Sequence, residues 1–265
     1  MKSQPSFGVI LGGGISLGLT FLGIVRAFEE RGYYPTRIGG CSVGAAVGAA
    51  WAAGLPYERM AEAAEMAAWR RFVRPVVGKQ GLFSFYGFTR FIEQICGVKL
   101  VEELPVPLSI FATNLTTSKA QVFRQGPLGQ TVAASCSIPG IFAPVKLGGE
   151  LYADGGLIRG NPVDILNDAD DLDFVVVLDP VGDFEFSGKP RNTVEVLLRS
   201  FLILLKSTGR YLPEECAFPL IRIAPHTGGV NPLNLHELPQ LEPRGYAAAQ
   251  EALEEYESWF EKGPP

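Results

Sequence analysis

Ile38-Gly39-Gly40-Cys41-Ser42-Val43-Gly44-Ala45-Ala46 is the stretch that decides how this chain reads. It contains Gly40-x-Ser42-x-Gly44, the spacing of a nucleophile elbow, in which a serine sits on a tight turn between a strand and a helix. The residues two before and two after that serine must be small, because strand and helix nearly collide there. Tyr33 to Ile38 read as the strand entering the turn. Ala45, Ala46, Ala49, Ala50, Ala52 and Ala53 follow as a closely packed helix. Gly54-Leu55-Pro56 stops it. Cys41 is a rival nucleophile, but the small-residue spacing centres on Ser42.

Upstream, Phe7-Gly8-Val9-Ile10-Leu11 is a short apolar run ending in Gly12-Gly13-Gly14. It reads as a buried parallel strand, and Leu19 to Phe28 as the helix that follows, closed by Gly32. The N–H groups of such a glycine turn, beside a helix N-terminus, suit an anion. A phosphate loop is rejected, because Leu19 stands where Lys is required. A dinucleotide loop fits poorly: Leu17 replaces its third glycine, and Tyr33 to Arg37 contains no acid. An oxyanion hole needs only exposed amides next to a nucleophile on the neighbouring strand, and the next strand supplies Ser42.

With 265 residues, 47% of them hydrophobic and 19% charged, the chain is expected to form a single domain over 1–265. Its motif-bearing core is placed at 7–180, and its C-terminal strand and helices at 190–265. The formal net charge of −5 gives no basic footprint for nucleic acid, nor a general attraction to anionic membranes. No signal-like N-terminus and no spanning apolar run is evident, so a cytoplasmic protein is expected, with a peripheral membrane contact. Four cysteines without a C-x-x-C pair offer no metal framework. The two histidines, His226 and His236, lie in a Pro/Gly/Asn-rich region and make unconvincing triad members.

Further along, helices are expected over Pro56–Trp69, Thr89–Val98, Thr131–Ser137, from Pro162 onward, within Thr193–Gly209 and over Arg244–Lys262. Strands are expected at Leu108–Asn114, Lys119–Arg124, Phe174–Leu178 and Phe218–Ile223, and a strand pair or hairpin around Gly148-Gly149 at Val145–Tyr152. Arg70, Arg71 and Arg74 make a small basic cluster. The aromatic run Gly81–Phe88 reads either as packing of a connecting loop or as an apolar entrance touching a lipid surface. Asp168, Asp170, Asp171 and Asp173 read as a solvated loop rather than a metal site. Asp154-Gly155-Gly156 ends a strand. Asp-Gly is ordinary turn chemistry, yet a carboxylate there also serves as general base if it reaches the serine hydroxyl. A Ser–Asp dyad would leave both histidines idle.

In this order the motifs resemble the patatin-like phospholipase family. The resemblance rests on Gly12-Gly13-Gly14 to Gly18, on Gly40-Cys41-Ser42-Val43-Gly44, on the segment Ala134–Pro144, on Asp154-Gly155-Gly156 and on Asn161-Pro162-Val163. It implies a three-layer α/β/α sandwich with a mostly parallel sheet. It implies hydrolysis of lipid carboxylic esters through a serine acyl-enzyme, with no cofactor. By position, Ser42 is the nucleophile and Asp154 the base; Gly12, Gly13, Gly14 and Val43 supply oxyanion donors; Gly40, Gly44, Gly155 and Gly156 support the motifs. Two residues depart from the family pattern. Ile15 stands where a further glycine is usual, and Leu17 where Arg or Lys is usual. The alternative they raise is a catalytically weak lipid-binding or regulatory protein of the same fold.

Overall fold

The computed structural model describes residues 5–66, 72–76, 80–85, 87–186, 188–209 and 213–265. The expected basic residues Arg70 and Arg71, the helix end 67–69 and Tyr86 of the aromatic run lie outside them. In chain order, β1 (Phe7–Leu11) leads through a short 3₁₀ turn into α1 (Thr20–Glu30). Then come β2 (Arg37–Cys41), α2 (Val43–Ala52), α3 (Tyr57–Met66), β3 (Val73–Pro75), β4 (Gly81–Phe85) and α4 (Phe88–Cys96). The middle of the chain gives β5 (Leu108–Asn114), β6 (Lys119–Phe123), α5 (Leu128–Ser135), β7 (Gly140–Phe142), β8 (Val145–Leu147) and β9 (Glu150–Asp154). The remainder forms β10 (Phe174–Leu178), α6 (Thr193–Thr208), β11 (Leu220–Ile223), α7 (Leu241–Glu255) and α8 (Glu257–Lys262).

The main sheet has eight strands along the path β11-β10-β1-β2-β5-β9-β8, with β6 also paired to β5. From β11 through β5 every pairing is parallel, and β6, β8 and β9 add antiparallel pairs. The apolar runs of β1 and β10 are buried on both faces, as parallel strands require. Their side chains alternate: Val9, Leu11, Val176 and Leu178 join a core with α1, α2 and α7, while Ile10, Val175 and Val177 join a second core. That second face is covered by the turn-rich segment carrying Val163, Ile165 and Leu166. Gly8 and Gly39 let it approach, since a β-carbon on either would meet Leu166 or Ile165 at 2.7 and 2.6 Å. α6 lies across the end of that face against Gly156 and Gly160. The result is an α/β/α sandwich around a mostly parallel sheet.

The strand register explains how distant residues meet. β2 pairs with β5 from Ile38↔Leu108 to Cys41↔Phe111, and β9 pairs with β5 from Asn114↔Tyr152 to Ala112↔Asp154. β6 occupies the opposite edge of β5 from Ile110 to Asn114. β2 and β9 therefore share one edge of β5 and run toward each other, their tips facing consecutive β5 residues.

Several boundaries differ from the sequence reading. The strand before the elbow is Arg37–Cys41, closer to Ser42 than Tyr33–Ile38, because Tyr33 and Tyr34 sit in the turn that follows α1. No helix begins at Pro162; residues 163–168 form successive turns. There the amide Nδ2 of Asn161 donates to the carbonyl of Gly209, 3.1 Å away, and does not cap a helix. The C-terminal helix starts at Leu241 and breaks at Tyr256 into α7 and α8. The Gly81–Phe85 run is a strand of a small second sheet ordered β3-β4-β7. Its Phe85 stacks on Phe142 at 4.2 Å and on Phe88 at 4.8 Å, whereas Leu82 is exposed.

A β-carbon at Gly44 would lie 2.2 Å from the Leu11 carbonyl oxygen, a backbone atom that cannot step aside. Gly44→Ala is expected to lower stability by about 1–3 kcal/mol, read as an earlier urea midpoint with unchanged slope. A midpoint equal to that of the parent chain would contradict this close approach of α2 and β1.

Candidate active site

Ser42 sits between β2 and α2 with φ 56° and ψ −127°. Such a left-handed value is costly for a residue with a β-carbon, of order 1–3 kcal/mol. The elbow glycines permit it: a β-carbon at Gly40 would lie 2.6 Å from the Gly44 carbonyl oxygen. Ser42 Oγ donates a 2.6 Å hydrogen bond to Oδ2 of Asp154 at the tip of β9. The amide of Gly156 donates to the other carboxylate oxygen at 2.9 Å. The Asp154 amide donates to Ser137 O at 2.9 Å, and Thr113 Oγ donates to the Asp154 carbonyl at 2.9 Å. Gly155 and Gly156 leave no space for side chains, packing against Phe111, Cys41 and Leu205.

Asp154 is fully buried, and burial pushes its carboxyl up to about 7, against the lowering by the Ser42 and Gly156 hydrogen bonds. A base of that basicity is poised near neutral pH. Cys41 is also fully buried, and burial holds its thiol well above the usual range, so it is an inert neighbour rather than a nucleophile. His226 contacts Asp183 and its ring is largely exposed; His236 is exposed. The Ser42 hydroxyl has a carboxylate partner and neither imidazole. Among the described residues, no three His, Cys, Asp or Glu side chains converge to hold a metal ion.

The glycine turn adjoins the elbow: a β-carbon at Gly13 would lie 3.5 Å from Ser42 Cβ, and one at Gly18 would meet Val43 at 2.5 Å. Its amides are not equivalent. Gly12 N–H donates to Leu178 O and Gly13 N–H to Gly160 O, each at 3.0 Å. Those two are engaged in holding β1 to its neighbours, which corrects the expectation that they are free donors. Among the described residues the amides of Gly14, Ile15 and Val43 have no hydrogen-bond partner. Ile15 does adopt the glycine-like backbone, at φ 51°. Its side chain is held in an apolar cluster with Leu17, Phe201, Leu202 and Leu205, which offsets a strain of about 1–2 kcal/mol. Leu17 is fully buried there, so no cation stands at that place.

α6 roofs the site. Leu205 packs over both Gly13 and Gly156, the glycines flanking the Ser42–Asp154 pair. Ser42 is only 4% exposed. A cavity of about 560 Å³ reaches Gly13 and Leu205 but stops short of Ser42. The polar ties of α6 run mainly to its own approach segment, Arg199 to Gly188 O and Lys206 to Phe184 O, while its underside is apolar.

The family model described as patatin-like phospholipase matches residues 9–167. The chain belongs to the patatin-like phospholipase family. It is similar to an uncharacterised NTE family protein of Mycobacterium tuberculosis, 33% identical over 164 residues, covering 61% of this chain and 46% of that protein. It is similar also to lysophospholipase NTE1 of Debaryomyces hansenii, 30% identical over 167 residues, 61% of this chain but 11% of that protein. The matched stretch thus spans less than half the length of these relatives. Among solved structures, VipD from Legionella pneumophila superposes with a TM-score of 0.64 at 15% identity, covering 96% of this chain and 68% of that one. The type III effector protein ExoU gives 0.52 at 12% identity, covering 95% and 54%. These likenesses carry the sandwich architecture. Among the described residues no helix is long and apolar enough to cross a membrane.

Ser135 escaped the sequence reading. Its hydroxyl accepts from the Ser42 amide at 2.8 Å and donates to Phe111 O at 2.7 Å. The available signal was its place in the family-like segment Ala134–Pro144, as the last residue of α5 before Cys136 and Ser137.

The raised Asp154 carboxyl has a stability consequence of defined sign. The folded state holds this proton to about pH 7, whereas an unfolded chain releases it near 3.8. Its contribution is fully present below pH 3.8 and is lost as pH rises toward 7; the difference corresponds to at most about 4 kcal/mol. Asp154→Asn is expected to melt above the parent chain at pH 8, with the gap closing as pH falls toward 4. Thermal scans across that range check it, and a pH-independent gap would remove the buried carboxylate as its cause.

Proposed function

We propose that Ser42 and Asp154 form a hydrolytic dyad that cleaves carboxylic esters of lipids. The observation that carries this reading is the 2.6 Å hydrogen bond between a strained elbow serine and a buried carboxylate whose affinity for protons lies near neutrality. Asp154 Oδ2 takes the proton as Ser42 Oγ attacks the ester carbonyl. The developing oxyanion faces the unpartnered amides of Val43 at the N-terminus of α2 and of Gly14 in the glycine turn. Collapse expels the alcohol, which leaves with the proton from Asp154. Asp154 then deprotonates water, which attacks the acyl-Ser42 ester; the Ser42 Oγ–acyl bond breaks, Asp154 returns the proton to Oγ, and the fatty acid is freed. No cofactor enters these steps.

The lipid class is supported by family membership and by the lysophospholipase named among the relatives. It is supported also by the apolar residues gathered around the site: Ile15, Leu17, Phe201, Leu202 and Leu205. The exposed Leu82 on the aromatic β3-β4-β7 sheet is the point at which a lipid surface would be met. A second reading, lipid binding with little turnover, is favoured by Leu17, which removes a cation from beside the oxyanion. The loss of one oxyanion contact costs about 3–4 kcal/mol of barrier.

Labelling with a fluorophosphonate separates the two. The intact chain is expected to label, Ser42→Ala to lose the label, and Asp154→Asn to hydrolyse p-nitrophenyl esters on the order of a hundredfold or more slowly. An unlabelled parent chain would favour the binding protein. Activity is also expected to rise with pH through about 7 as Asp154 ionises. A rate flat from pH 5 to 9 would assign the base elsewhere.

A further inference from the structure

The geometry points to Ser135 as a positioning residue: its hydroxyl holds the Ser42 peptide in the left-handed conformation that aims Oγ at Asp154. This rests on the hydrolytic reading of those two residues.

The parallel ladder between β2 and β5 ends at Cys41↔Phe111. One residue later the chain turns at φ 56°, and the Ser42 N–H leaves the ladder. The Phe111 carbonyl, which faces the same end of the ladder, is likewise in need of a donor. Both groups are buried, and a buried polar group without a partner is destabilising. The hydroxyl of Ser135, itself 0% exposed, accepts from one at 2.8 Å and donates to the other at 2.7 Å. A hydroxyl can do both at once. It acts as a one-atom extension of the sheet across the gap that the elbow opens.

The next two residues act on the same pair. Cys136 Sγ donates to Ser42 O at 3.1 Å, and Ser137 O accepts from the Asp154 amide at 2.9 Å. The end of α5 thus reaches both members of the dyad. The contacts are not equally important. Ser42 O also accepts from Ala45 N–H at 2.9 Å and Ala46 N–H at 3.3 Å, so the thiol is redundant. Ser42 N–H has Ser135 alone among the described residues. Removing that hydroxyl takes the donor from the Phe111 carbonyl and the acceptor from the Ser42 N–H. It frees the Ser42 peptide to relax toward negative φ, the region a residue with a β-carbon prefers. The oxygen then swings away from Asp154.

Fluorophosphonate labelling and backbone exchange on the full chain test this together. Ser135→Ala is expected to lower the maximal labelling rate on the order of ten- to a hundredfold, with the half-saturating probe concentration unchanged. Cys136→Ala is expected to label like the parent. Ser135→Thr and Ser135→Val have nearly the same volume and differ in the hydroxyl, so Thr should label faster than Val. A Ser135→Ala rate equal to the parent's, or equal rates for Thr and Val, would overturn the proposal.

Hydrogen exchange at the Ser42 amide, followed by NMR, reads the positioning without hydrolysis. It should speed up about tenfold or more in Ser135→Ala. Unchanged exchange overturns the proposal even where the Thr and Val chains fail to fold. A parent chain that does not label would sink the hydrolytic reading, and the exchange measurement would still decide the role of Ser135.

Discussion

Cys41 and Asp154 stand opposite Phe111 and Ala112, adjacent residues on one edge of β5. That shared edge is the constraint on which the rest depends. A parallel strand and an antiparallel strand run along it from opposite ends, and each stops where the other would begin. The chain must leave the sheet at both tips, so one side chain from each tip is pressed into the same small space. Ser42 and Asp154 are 112 residues apart in sequence yet 2.6 Å apart in space. The glycines around them are needed for the same reason. Gly40, Gly44, Gly155 and Gly156 line the junction, where backbone or side-chain atoms already fill the β-carbon positions.

The junction opposes stability to chemistry. A carboxylate with full burial and two hydrogen bonds is less comfortable ionised than it would be in water, and burial is the leading cause of its raised proton affinity. The strained peptide of Ser42 adds to that cost. Both are tolerated because the surrounding sheet is deeply apolar, with Val9, Ile10, Leu11 and Val175 to Leu178 wholly buried. A fold with a thinner core would relax the turn and let water bring the acid back toward the ordinary carboxylate range.

Local pattern made much of this legible. The Gly40-x-Ser42-x-Gly44 spacing carries its own steric requirement, and apolar runs such as Phe174–Leu178 permit little besides a buried strand. The sandwich and its family were therefore readable from sequence. Features decided by distant partners were not. The entry strand shifted toward Arg37–Cys41 because pairing with β1 and β5 fixes its ends. Asn161-Pro162 resembles a helix start, but the Asn161 side chain is claimed by Gly209, 48 residues away. The glycine turn looked like a row of equal donors, and only the neighbours of β1 reveal that Gly12 and Gly13 are engaged. Ser135 lies in the family-like segment Ala134–Pro144, but nothing in that pattern says what its hydroxyl touches; its place follows from where two strands stop.

Under the proposed hydrolytic function, the roof formed by α6 would give the site a preference among physical states of matter. If Ser42 is the nucleophile, its buried hydroxyl would meet an ester only once the apolar underside of α6 moves, and water alone repays nothing for exposing that underside, about 1.5–3 kcal/mol for each such side chain. On that reading, a hydrocarbon tail arriving from an aggregate would replace those contacts as they break, and the opening would be driven by the guest. On the hydrolytic reading, the phase behaviour of an ester substrate would enter the rate law alongside its chemistry.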